Sequence, residues 1–107
     1  MGYYLVQAAY TAEAAADLVK HPQNRREAVQ KAVEKLGGNL EGFWFAFGDY
    51  DVVLVCQMPD NVSAAAFSMA VSAGGALRAA KTTPLLTAEE GIEAMKKAGK
   101  SRYEPPQ

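Results

Sequence analysis

Few side chains in this sequence carry chemistry, and the densest group is Gly48-Asp49-Tyr50-Asp51. Asp49 and Asp51 flank Tyr50, so in an extended backbone both carboxylates point the same way. Such a pair can share one proton, or divide acid and base roles where the two environments differ. The competing reading is turn chemistry, in which Asp binds local backbone donors, Gly48 supplies a positive φ and Tyr50 covers the end of a hairpin. No neighbouring residue predicts burial of either acid, so the turn reading is favoured. Asp51 is the better working group of the two, because it begins a strand.

His21 is the only imidazole and stands before Pro22 in a loop, with no His-x-x-x-His or Cys-x-x-Cys to join it, so no bound metal is expected. Cys56 lies mid-strand between Val55 and Gln57, where a thiol acts as a small buried hydrophobe with no lowered pKa. Gln7 and Gln57 are polar residues inside apolar strands. On a shared face, two amides can line a cavity and orient a small ligand. They can equally bond one another, or a partner's backbone, and fix the register. Arg78 and Lys81 have opposite parity on the last strand, so only one of them joins that face. Arg25 and Arg26, at a helix start, read as solvated or paired with an acid. The candidate ligand site is therefore drawn from Tyr3, Gln7, Tyr50, Asp51, Gln57 and Arg78, with no catalytic residue assigned. No cofactor is expected, since neither Gly-x-Gly-x-x-Gly nor a phosphate loop occurs.

Local punctuation predicts the elements that must hold these groups. Residues 3–10, "YYLVQAAY", are aromatic and β-branched enough for a strand. Thr11 caps the alanine-rich "AEAAADLVK", which Pro22 stops. Asn24 and Glu27 read as a capping box ahead of a helix with Val29, Ala32, Val33 and Leu36 on one stripe, closed by Gly37-Gly38. "GFWFAF" and "DVVLVCQM" are strands joined by a short hairpin at Gly48-Asp49-Tyr50. Pro59-Asp60-Asn61 ends the second of these and caps "VSAAAFSMAVSA". "ALRAAKTT" is a weaker strand limited by Pro84, and a capping box at Thr87 and Glu90 opens a short helix with Ile92 and Met95 inward.

The predicted order is β-α-β-β-α-β with a short C-terminal helix. This is an α+β, ferredoxin-like arrangement: a four-stranded antiparallel sheet with two main helices on one face. Residues 1–98 are read as one domain and 99–107 as a tail. An antiparallel sheet with one wet face alternates apolar and polar residues. These strands do not. In "FWFAF", Phe43, Phe45 and Phe47 fall on one side and Trp44 and Ala46 on the other, and "VVLVC" is apolar on both parities. Burying one large aromatic stabilises by roughly 2–3 kcal/mol, so a bare row of this kind calls for cover. A second copy of the same sheet supplies it, giving a homodimer through the open face.

The run "FWFAFGDYDVVLVCQMPDNVSAAAFSMAVSAGG" resembles the core of the GYD domain family, named for a Gly-(x)-Tyr-Asp turn leading into a strand. "NRREAVQKAVEKLGG" before it and "TTPLLTAEE" after it fit the same pattern, so the resemblance spans roughly residues 3–92. It implies a ferredoxin-like domain of the dimeric α/β-barrel kind. It implies no established reaction, and carries over only the motif residues Gly48, Tyr50 and Asp51.

Composition narrows the function classes. With 107 residues, 21% of them charged, and a net charge of −1, nothing draws the chain to nucleic acid or an acidic membrane. The N-terminus lacks the pattern of a signal peptide and the single cysteine suits a reducing compartment, so a cytoplasmic protein is expected. Three classes remain: a dimeric barrel binding a small, mostly apolar molecule, an assembly or protein-interaction subunit without catalysis, and, last, a nucleic-acid module. The aromatic "EGFWFAF" resembles a base-stacking strand, but sits on the second strand where such sheets use the third.

Overall fold

Side-chain caps divide the chain at the expected places. In the computed structural model, which describes residues 1–106, strand β1 (Gly2–Tyr10) gives way to helix α1 (Ala12–Lys20), where the Thr11 hydroxyl accepts from the Ala14 N–H at 3.1 Å. Asn24 accepts from the Arg26 N–H at 3.0 Å and opens α2 (Arg25–Lys35). Glu27 does not complete a capping box there. It reaches along the helix to Lys31, at 3.5 Å, the i,i+4 partner that helical geometry offers it. Gly37, at φ +84°, turns the chain into β2 (Asn39–Phe45), which pairs with β3 (Val52–Met58).

Asp60 accepts from the Ser63 N–H at 2.8 Å and caps α3 (Asn61–Ala73). After β4 (Leu77–Leu85), Thr87 and Glu90 form the expected capping box of α4 (Ala88–Ser101). The bonds from Ser63 and Thr87 hold the Asp60 and Glu90 carboxyls below their ordinary pKa values. Both caps are thus complete above the unfolded-state values and fade as the pH falls through the lowered ones.

The sheet is antiparallel throughout, in the order β2-β3-β1-β4. With α1 and α2 separate helices across Pro22, the element order is β-α-α-β-β-α-β-α, a ferredoxin-like α+β arrangement. Even-numbered residues of the two central strands face the helices: Tyr4, Val6 and Ala8 on β1, and Val52, Leu54, Cys56 and Met58 on β3, all buried. Val33 of α2 and Phe67 of α3 close the core over them, while the Tyr4 hydroxyl bonds the Asn61 side chain. The odd-numbered Tyr3, Leu5, Gln7, Val53, Val55 and Gln57 form the opposite face and stay half-exposed. A bulge in β2 between Leu40 and Gly42 keeps Phe43 and Phe45 opposite Leu54 and Val52, and Trp44 opposite Val53 on the open face. A Cβ on Gly42 would run into the Trp44 ring, so the indole lies back over that glycine.

Three expectations are corrected. The hairpin between β2 and β3 is longer than a three-residue turn, because Phe47 is left outside the ladder and fully solvent-exposed. Pro84 does not end β4, which runs to Leu85. β4 is an edge strand, where a missing N–H costs no ladder bond. The C-terminal helix is present but does not pack inward. It spans 14 residues and leaves Ile92 and Met95, expected inward, 53% and 72% exposed. None of the principal packings between elements includes α4. The radius of gyration is accordingly 17.0 Å, against about 13 Å for a compact chain of this length.

Candidate functional site

The helix-covered side of the sheet contains a cavity of about 300 Å³. Its floor is Val6, Ala8 and Tyr10 of β1 with Val52 and Leu54 of β3; its roof is Val29 of α2 with Phe67 and Val71 of α3. The space exists because Ala8, Ala70, Gly74 and Ala76 are too small to meet across the layer at this end. Only two polar side chains line it, those of Tyr10 and Arg25.

Tyr10 is the last residue of β1, just past a bulge in its pairing with β4. The Arg25 guanidinium stands beside its phenol. Burial raises the Tyr10 pKa, Arg25 opposes that and the Asp51 carboxylate adds to it, so the phenol stays a neutral O–H donor at physiological pH. Arg25 opens α2, is half-buried, and donates through Nη1 to Gln23 Oε1 at 3.0 Å. The single ion pair among the described residues joins Lys31 and Glu27, so no carboxylate neutralises Arg25. A second, shallower hollow lies on the other side of Tyr10, bordered by Leu18, Pro22, Phe45 and Asp51.

Asp51 is a structural bridge. Its Oδ2 accepts from the Tyr10 N–H at 2.9 Å, its own N–H donates to the Ala8 carbonyl at 2.8 Å, and its carbonyl accepts from Ala46 at 2.7 Å. The β1–β3 ladder ends at Ala8 and Val52, and the carboxylate then takes the place of a strand carbonyl for Tyr10. The bond therefore spans two strands, where turn chemistry would have kept it local. Asp51→Ala leaves that N–H without its partner and is expected to cost about 1–3 kcal/mol. Asp51→Asn, which retains an accepting oxygen, should keep most of it; chemical denaturation of both variants checks the difference. Gly48 adopts φ +130° with open space around it. Gly48→Ala therefore suffers from backbone strain alone, beyond the ~1 kcal/mol of an ordinary Gly/Ala exchange, and should lower the melting temperature by several degrees.

The six candidate residues are not gathered at one point. Tyr3 and Gln57 are direct cross-strand partners on the open face. Gln7 shares that face between Val53 and Lys81. It lies four residues along from the Tyr3–Gln57 pair, about 13 Å at strand rise, so the two amides do not bond each other. Lys81, not Arg78, is the β4 side chain registered with Gln7; Arg78 sits at the bulge and is exposed. Tyr50 and Asp51 lie at the end of the sheet. Tyr10 and Arg25 were not singled out as a pair, although Tyr10 shares the even parity of Val6 and Ala8 and Arg25 opens an amphipathic helix. Among the described residues no cluster of His, Cys, Asp or Glu could hold a metal. Burial raises the pKa of the Cys56 thiol, which suits a packing role.

The family model of the GYD domain matches residues 4–95. The chain belongs to the GYD-domain family. Solved structures similar to this GYD domain include TTHA0845 from Thermus thermophilus, at 15% identity and a TM-score of 0.54, covering 82% of this chain and 96% of that one. An uncharacterized NIPSNAP domain protein from Burkholderia xenovorans is similar at 17% identity and a TM-score of 0.52, covering 82% and 95%. FFRP-DM1 is similar at 11% identity and 0.51, covering 80% and 100%. At such identities the likeness is one of fold. No curated protein sequence matches the GYD domain significantly.

Proposed function

We propose that this GYD domain is a homodimer joined through the open face of its sheet, each protomer binding a small, mostly apolar molecule between sheet and helices. The cavity carries the ligand reading: about 300 Å³ of largely apolar wall, with polar side chains at two positions only. That is the lower end of the size and the usual composition of small-molecule sites. Asp51 serves it indirectly, by holding the strand end that carries Tyr10. Tyr3, Gln7 and Gln57 belong to the proposed dimer seam, where amides and a phenol can satisfy one another across the two-fold axis.

Two observations support the assembly. Leu5, Val53 and Val55 leave the middle of the open face apolar, with Trp44 56% exposed beside them. The unpacked α4 turns Ile92 and Met95 to solvent, as a helix does when its apolar stripe belongs against another chain. No described helix is long and apolar enough to cross a membrane, and a cytoplasmic setting suits the free Cys56 thiol.

Native mass spectrometry of freshly purified protein tests both parts. The expected species is a dimer carrying a small molecule, and Val71→Trp, which fills the cavity, should lose the molecule and keep the dimer. A monomer at micromolar concentration overturns the assembly. A dimer that takes up nothing, with wild type and Val71→Trp alike, favours the alternative of an assembly subunit without catalysis.

A further inference from the structure

Resting on that cavity reading, we infer that the molecule held between sheet and helices is a monocarboxylate with an apolar body, its carboxylate received by Arg25 and Tyr10. A guanidinium at a cavity wall without a carboxylate partner has charged donors to offer an anion. Arg25 meets that description: its side chain meets only neutral groups, the Gln23 amide and the Tyr10 phenol, and no acid lies within ion-pair distance. Asp17 borders a further small hollow that Arg25, Leu18 and Gln23 also line, without pairing to Arg25. The Asp51 carboxylate, the other acid near Tyr10, is engaged by the Tyr10 N–H. Arg25 and the Tyr10 phenol thus offer donors to one spot at the cavity wall, and no acceptor side chain lines the cavity with them.

The guanidinium fork matches a carboxylate in the plane of both, and the neutral phenol adds one O–H donor. Beyond that spot the wall is Val6, Leu54, Phe67 and Val71, which admits a ring or a branched chain and nothing charged. A single anionic head on an apolar body fits such a wall. A dianion or a sugar leaves polar groups without partners.

Calorimetric titration with phenylacetate and its neutral isostere phenylacetamide separates the two layers of this reading. Wild-type protein should bind phenylacetate at least roughly ten-fold more tightly than the amide, the usual worth of charge-assisted hydrogen bonds. Arg25→Gln should erase that preference, Arg25→Lys should restore part of it, and Tyr10→Phe should weaken phenylacetate several-fold. Circular dichroism establishes that each variant is folded. Equal binding of acid and amide by the wild type overturns the carboxylate class and leaves the apolar cavity standing, provided Val71→Trp abolishes both. A preference that survives in Arg25→Gln overturns the role of Arg25. Binding of neither probe, or binding that Val71→Trp does not alter, removes the cavity reading and the inference together.

Discussion

Leu5→Asp is expected to yield a monomer, with the mass from light scattering at micromolar concentration falling to about half that of the wild type. Leu5 lies in β1, flanked by Val55 of β3 and Thr83 of β4, at the centre of the open face. Its side chain points away from the core of Tyr4, Val6, Leu54 and Phe67, so the substitution spares the packing of the protomer. In the isolated chain a carboxylate there is half-solvated and cheap. Beneath a second sheet it loses water on every side with no cation in register, a cost of several kcal/mol. Two copies would bring two such charges close to the same axis, which adds repulsion. Circular dichroism and the denaturation midpoint should stay close to those of a dissociated wild type. An unchanged mass would mean that the open face is not the seam.

Phe67→Ala is expected to destabilise the fold by about 3–5 kcal/mol, a large part of the stability of an ordinary domain of this size. Phe67 is 2% exposed and is the largest fully buried side chain that α3 contributes to the core. It also lines the cavity, so the space left by its ring joins a void already present. The helix cannot sink to fill that space while Asp60 caps its start and Tyr4 bonds Asn61 one residue later. An apolar probe such as toluene should therefore raise the melting temperature of Phe67→Ala more than that of the wild type. Urea denaturation checks the loss; a change below about 1 kcal/mol would place Phe67 outside any closely packed core.

The groups that the fold brings together around Tyr10 were legible in the sequence only one by one. Of the acid pair, Asp51 is the one that reaches another strand, because it stands directly before β3, whereas Asp49 stays exposed in the loop. Its partner, the Tyr10 N–H, is 41 positions away, and nothing in either local sequence names the other. Arg25 read as solvated, since the start of a helix is usually wet. It is half-buried because the short α1 and the bend at Pro22 bring that start beside the end of β1.

The sequence by itself determined the succession of elements and the two apolar faces of the sheet. Caps and turns act within about four residues, so Thr11, Asn24, Asp60 and Thr87 divide the chain wherever its remainder lies. The strand period of two likewise assigned Phe43 and Phe45 to one side and Trp44 to the other before any partner strand was known. Only the tertiary structure decided what met what. The bulge after Ala9 sets which β4 residue faces Tyr10, the small side chains of β1 and α3 leave a cavity where larger ones would have closed it, and α4 stands free of the body. The first two depend on contacts between segments tens of residues apart, where the geometry of one element is fixed by the side-chain volumes of another, and the third on the lack of such contacts.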